Sequence, residues 1–205
     1  MPKMPKPQHK RLTSAGKFSS KARRPAPSVG KAFQLDVAGF YLRSLRKPDA
    51  TSDFVNWMND ADLLAGMNLP AFNMTTADLQ DYIAKANNLH KYLIGIFTKP
   101  DLRLIGFYQI DVTLLHRRAS ITAAIGDKQW WGKGALKETA RPLVDAFFEH
   151  RNIDKMTLRI TSQNKKILFS LMGTRFKHEG CLKQEVLTPD GRRLDLHVFG
   201  RAKNP

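Results

Sequence analysis

A chain of 205 residues is ample for one domain of ordinary size and tight for two, and its 42% hydrophobic residues can bury a substantial core. No stretch approaches the roughly 18 to 20 uninterrupted apolar residues of a membrane span, and the N-terminal MPKMPKPQHKRL has no apolar run behind its charge. That excludes a spanning helix and a secretory signal and points to a cytoplasmic protein, while the net charge of +16 directs attention to where the charge lies.

Residues 1–31 hold nine Lys and Arg and no Asp or Glu, leaving +7 for the remainder. They are also rich in Pro and Ser and nearly empty of large apolar side chains, so burial cannot offset the entropy of ordering them. Residues 1–34 are therefore expected to form a disordered basic arm before a domain at 35–205. Such an arm can attract RNA, a ribosome or another acidic partner by counterion release, although without interleaved aromatics it offers no stacking platform. A plain solvated tail is the alternative.

The domain then alternates. Phe40–Leu45 reads as a strand stopped by Lys47-Pro48, and Asp49 and Ser52 are candidate caps for a helix carrying Phe54, Val55, Trp57 and Met58. Thr75-Thr76-Ala77-Asp78 resembles a capping box opening a helix to about Asn87. Strands Tyr92–Thr98 and Leu104–Val112 flank a Lys99-Pro100-Asp101 turn, and a further strand spans Ala119–Ile125. A helix from Gly134 to about His150 stacks Leu136, Ala140, Leu143, Val144, Phe147 and Phe148 on one face, and Pro142 inside it should kink the axis unless the first turn is irregular and the regular helix begins later. Strand Met156–Thr161, short helix Lys165–Met172 and a hairpin of Cys181–Leu187 and Arg193–Phe199 around Thr188-Pro189-Asp190-Gly191 complete an α+β layout on one mixed sheet. Cys181, the single cysteine, closes no intrachain disulfide and stands without zinc-ligand spacing, so no metal is expected.

The segment Gln129-Trp130-Trp131-Gly132-Lys133-Gly134-Ala135 passes from a strand into a helix. Its glycines leave backbone N–H groups unobstructed where the helix dipole is positive, which suits a pyrophosphate, with Lys128 or Lys133 adding charge. It has neither the Gly-Lys-Ser/Thr ending of an ATP loop nor the three-glycine spacing of a dinucleotide loop.

Gln129-x-x-Gly132-x-Gly134 resembles the pyrophosphate loop of the GCN5-related N-acetyltransferases (GNAT). The Trp-Trp-Gly-Lys-Gly form is similar to the branch that includes ribosomal-protein N-terminal acetyltransferases. Asn164, Arg175-Phe176, Glu179-Gly180 and Gly191-Arg192-Arg193-Leu194-Asp195 follow in the order of that branch, so the resemblance spans about Phe40 to Arg201. It implies a mostly antiparallel sheet flanked by helices, with a V-shaped split between the fourth and fifth strands, Ala119–Ile125 and Met156–Thr161. Acetyl-CoA would lie there as co-substrate, its pantetheine amides on the backbone near Ala123, Ala124 and Ile125, its pyrophosphate on Gln129 to Ala135, and Asn164 against the pantetheine arm or simply capping the short helix.

The family's reaction is direct attack of a neutral amine on the thioester, which needs a proton route and an acid for the thiolate. Here the family pattern departs. The tyrosine of many relatives is replaced by Leu171, the serine of the ribosomal branch by Ile167, and the glutamate of the central strand by Ser120 or Thr122. Ser170 is the nearest hydroxyl to the vacant acid position, and His116 and Asp111 flank the active-site strand as candidate bases. Trp57 and Tyr108 are candidate substrate contacts, or pack. Trp130 and Trp131 flank the loop, one packed and one exposed. The sequence therefore reads as an N-acetyltransferase acting on a protein N-terminus or a small-molecule amine, with a polycationic acceptor disfavoured. Transfer of a longer acyl chain and a monomer or homodimer are left open. The competing class is a GNAT-fold module that binds CoA without turnover and attaches by its arm to RNA or a large assembly.

Overall fold

The computed structural model describes residues 29–66, 69, 72–170, 175–188 and 190–204, with the backbone alone at Lys166, Phe169 and Ser170. Most of the basic arm, and Leu171, lie outside the described residues. The elements in chain order are β1 (Gln34–Val37), β2 (Phe40–Ser44), α1 (Ser52–Asn59), α2 (Ala61–Gly66), α3 (Thr76–Ala84), β3 (Lys91–Thr98), β4 (Leu104–Thr113), β5 (Arg118–Ile125), α4 (Ala135–His150), β6 (Lys155–Thr161), α5 (Lys165–Ser170), β7 (Lys177–Leu187) and β8 (Arg193–Ala202). One sheet carries all eight described strands in the order β1-β2-β3-β4-β5-β6-β8-β7. Every neighbouring pair is antiparallel except β5 and β6. This is the expected α+β fold.

Two elements were not expected. β1 precedes the first predicted strand, and α2 follows α1 directly. Residues 29–34, placed by composition in the arm, pack on the domain: the Gly30 N–H donates to Asn87 O at 2.8 Å, and Phe33 is buried and stacks on Phe147 at 5.3 Å. A single buried aromatic among basic and small residues is too sparse to register as periodicity. The cap of α1 is also neither Asp49 nor Ser52. Thr51 accepts from the Phe54 N–H, and Asp49 instead sits in a preceding 3-10 turn, ion-paired to Arg43 at 2.7 Å. Thr75 and Asp78 form the expected reciprocal capping box on α3. α4 runs through Pro142 unbroken, and the carbonyl that loses its helical donor is that of Glu138, an exposed residue that water can satisfy. The closing hairpin matches the predicted strands at its turn and extends beyond them at its open end, to Lys177 and Ala202.

The sheet is covered on both faces. On one, Tyr92, Ile94, Tyr108, Ile110, Ala119 and Ile121 pack with Leu143, Val144 and Phe147 of α4. On the other, Leu93, Phe97, Phe107 and Ala124 pack under Phe54 and Met58 of α1, Leu63 and Leu64 of α2, and Leu79 and Ile83 of α3. β3 is buried along nearly its whole length, which is why it reads as a continuous apolar run rather than an alternation.

The feature that positions a site is the short partnership of β5 with β6. They pair only at Arg118↔Lys155, Ala119↔Met156 and Ser120↔Thr157. Beyond Thr157, β6 follows β8, so Ile121–Ile125 are paired with β4 on one edge and open on the other. The result is the V-shaped split. No helix among the described residues is long and apolar enough to cross a membrane.

Candidate active site

At the open end of the split, β5 leads into a 3-10 turn at Lys128–Trp130 and then α4. Asp127, only 8% exposed, fixes the turn: its carboxylate accepts the Gln129 N–H at 3.0 Å and an Arg103 guanidinium N–H at 2.6 Å. Gly132 and Gly134 adopt φ of +76° and +81°, a region an L side chain enters only with strain. The Trp131 and Lys133 N–H groups are engaged within the turn, and Glu138 N–H bonds to Gly134 O at 3.0 Å. Among the described residues, the N–H groups of Gly132, Gly134, Ala135, Leu136 and Lys137 meet no protein acceptor. They lie at the positive end of a 16-residue helix, an arrangement whose electrostatics suit an anion.

The loop side chains divide as the sequence implied. Trp130 packs edge-on to Phe40, with ring centroids 5.7 Å apart, while Trp131 is 48% exposed. The Trp131 indole donates to Ile125 O at 2.8 Å, at the mouth of the split. Lys128 is tied to Asp60 at 2.6 Å, a hydrogen bond that raises the lysine pKa and lowers that of the aspartate. Lys133 lies over the Trp130 ring and has no carboxylate partner among the described residues, so it is the loop cation available to a phosphate. Across the split, Asn164 caps α5, accepting the Ile167 N–H at 3.4 Å, and its amide donates to Gly66 O at 3.3 Å, joining α5 to α2.

Two adjoining cavities meet at Thr122 on the sheet face that α1 to α3 partly cover. The first, about 270 Å³, is lined by Leu69, Phe72, Tyr82, Lys91, Gln109 and Thr122. The second, about 320 Å³, lies at the vertex of the split and is bordered by Asp111, Arg118, Ser120, Thr122, Thr157 and Arg159. Tyr82 donates to the Gln109 side-chain carbonyl, and the Gln109 amide donates to Asp111 at 2.7 Å. Burial, with the Asp111 charge behind it, pushes the Tyr82 phenol up to about 12, so it is a neutral donor at physiological pH. The Lys91 ammonium lies 4.4 Å above the Tyr82 ring.

Not every predicted site residue joins this arrangement. Tyr108 is buried on the opposite face. The Thr139 hydroxyl is committed to Ala135 O at 2.6 Å, so Tyr108 O–H donates to Thr139 at 2.7 Å and braces the first turn of α4. Burial raises its pKa, and its place is beneath the loop rather than against a substrate. Trp57 packs its indole on Gly126, where a Cβ would come within 1.9 Å of the ring, and it lines neither cavity. His116 is exposed in the 3-10 turn between β4 and β5 and lines neither cavity. The Ser170 side chain lies outside what is described. Asp127 was missed as a site residue, although an aspartate two residues before Gln129 is an Asx-turn signal. Lys91, Gln109, Arg118 and Arg159 carried no local signal. Among the described residues no group of His, Cys, Asp and Glu could hold a metal ion.

The sequence pattern of the family described as "Acetyltransferase (GNAT) domain" matches residues 40–168. An uncharacterized N-acetyltransferase, p20, of Bacillus licheniformis is 26% identical over 169 residues, 79% of this chain and 92% of that protein. The fold is similar to that of a spermidine N-acetyltransferase from Vibrio cholerae, crystallised with CoA and spermine, at a TM-score of 0.73 with 20% identity, covering 81% of this chain and 96% of that one. It is also similar to the ribosomal-protein-S5-alanine acetyltransferase from Vibrio fischeri, at a TM-score of 0.70 with 16% identity over 85% of this chain and 98% of that one.

Proposed function

Since the chain belongs to the acetyltransferase (GNAT) family, we propose that it transfers an acetyl group directly from acetyl-CoA to a primary amine, on a protein N-terminus or a small molecule. The observation that carries this reading is the run of unpartnered N–H groups between Gly132 and Lys137 beside an open strand edge. The loop amides would hold the pyrophosphate, Lys133 would add charge, and the β5 edge from Ala123 to Ile125 would pair with the pantetheine amides. When bound, the co-substrate supplies the activated thioester. The chain's own contribution is positioning: an amine over Gln109 and Thr122 would sit beside the split, and fixed geometry alone supplies much of the rate.

The test is a thermal shift with acetyl-CoA and CoA, followed by thioester-release kinetics on a panel of amines. Stabilisation with turnover on at least one amine is the expected result, and no stabilisation overturns the reading. Stabilisation without turnover favours the second reading, a CoA-binding module whose basic N-terminal arm attaches to RNA or a ribosome. That reading draws on Ser120 and Thr122, which leave the active-site face of β5 without a carboxylate.

The anchoring of the loop gives a further expectation. Asp127→Ala leaves the Gln129 N–H without its acceptor and frees the 3-10 turn, and should weaken CoA binding about 10-fold, the worth of one hydrogen bond to a charged group. Arg103→Ala, at a side chain 52% exposed, should weaken it far less. Calorimetric titration with CoA reads both, and equal effects would contradict the anchoring role.

A further inference from the structure

We propose that the vertex cavity is an acceptor subsite for an amine that also carries a carboxylate, with the ammonium held by Asp111 and the carboxylate by Arg118 and Arg159. The proposal rests on the acetyl-transfer reading for its context and on the sheet register for its geometry. Lys91↔Asp111, Asp111↔Ser120 and Ser120↔Thr157 are successive cross-strand partners, so these four residues form one row across β3, β4, β5 and β6, pointing to the same face. Arg118 lies two residues before Ser120 and Arg159 two after Thr157, which places both on that face, one on each side of the row. All but Lys91 border the same cavity of about 320 Å³.

The charges there are unspent. Arg43, Arg103, Arg117, Arg192 and Arg201 each have a carboxylate within hydrogen-bond distance. Arg118 and Arg159 have none within 4.0 Å among the described residues. Among the described residues the Asp111 carboxylate is likewise in no ion pair and accepts only the Gln109 amide, which Tyr82 orients from behind. One carboxylate and two guanidiniums border the cavity, with Lys91 in the same cross-strand row, so the charge there is net positive. A ligand with a single ammonium and a nearby carboxylate matches that pattern, because Arg presents a planar fork to carboxylates. A polyamine has one group for Asp111 and then meets like charge.

Two sources share this chemistry: a peptide with an acidic residue near its N-terminus, and a free acidic amino acid. Calorimetric titration of peptides identical but for Glu, Gln or Lys at position two, of free glutamate and of spermidine reads binding without turnover. Each is titrated into the protein both free and saturated with CoA. The Glu peptide or free glutamate should bind about 10-fold tighter than the Gln peptide, the effect of one charge-assisted hydrogen-bonded pair, and the stronger of the two identifies the source. Arg118→Gln and Arg159→Gln should each reduce that preference, Asp111→Asn should weaken every amine, and Arg159→Glu should turn the preference toward the Lys peptide. All these side chains are on the surface, and circular dichroism verifies folding.

Equal binding of Glu and Lys peptides, tighter binding of spermidine, or no heat from any amine in either state overturns the subsite. Failure of CoA to bind overturns the acetyl-transfer reading instead, and the titrations into free protein then still decide the subsite.

Discussion

Gly134→Val is expected to reduce CoA affinity by about 100-fold or more, corresponding to the loss of two hydrogen bonds to a charged phosphate at roughly 1.5–3 kcal/mol each. Gly134 caps α4 with φ +81° and ψ 5°. A β-branched residue is strained in that region and would pull the backbone toward negative φ, turning the N–H groups of Gly134 and Ala135 away from a common centre. Nothing lies within 4 Å of the Cβ position, so a steric clash cannot account for the loss. Gly134→Ala should therefore show a smaller loss of the same sign, because it shares the φ penalty without branching. Calorimetry with CoA and chemical denaturation of the free protein separate affinity from stability. Unchanged CoA affinity in Gly134→Val would remove the pyrophosphate cradle from this loop, and with it the observation that carries the functional reading.

Phe147→Ala should cost about 3–5 kcal/mol of folding stability, read as a shift of the denaturation midpoint at constant slope. The ring is fully buried on α4, stacked on Phe33 at 5.3 Å and edge-on to Tyr92 at 5.0 Å, so its loss opens a cavity between helix, sheet and the leading segment. Against a typical total of roughly 5–15 kcal/mol, that is a large fraction. Phe33→Ala should also destabilise by kilocalories, since its ring is only 4% exposed and belongs to the same cluster. If Phe33→Ala leaves stability unchanged, the segment before β1 contributes no packing to the domain.

How much of the site was legible depended on how far apart in sequence its parts lie. The geometry of the loop was readable because it is local: Gly132 and Gly134 at positive φ, free amides and a helix start all fall between residues 129 and 137. Asn164 as the cap of α5 was readable for the same reason. The capping box at Thr75 and Asp78 was legible because both partners lie within one turn.

Tyr108 was not. Alternation shows that it points away from Gln109, but only the packing of α4 on that face reveals Thr139 as its partner, 31 residues on. His116 was drawn to the site by being two residues from β5, yet it sits exposed in the 3-10 turn between β4 and β5 and lines neither cavity. For Trp57 the sequence left a substrate contact and packing both open, and the fold decides for packing, over Gly126.

By itself the sequence determined most of the helices and strands and the glycine turn before α4, because each depends on periodicity or on hydrogen bonds closed within a few residues, and the motifs in that turn pointed to the family. Only the tertiary structure decided which polar side chains share a cavity. Lys91, Asp111, Ser120 and Thr157 meet because four strands adopt one register, and Arg118 and Arg159 flank them because β5 and β6 part just after that row. Register is set by side-chain packing on both faces of the sheet against α4 and against α1 to α3, a nonlocal balance that no single segment of the chain encodes.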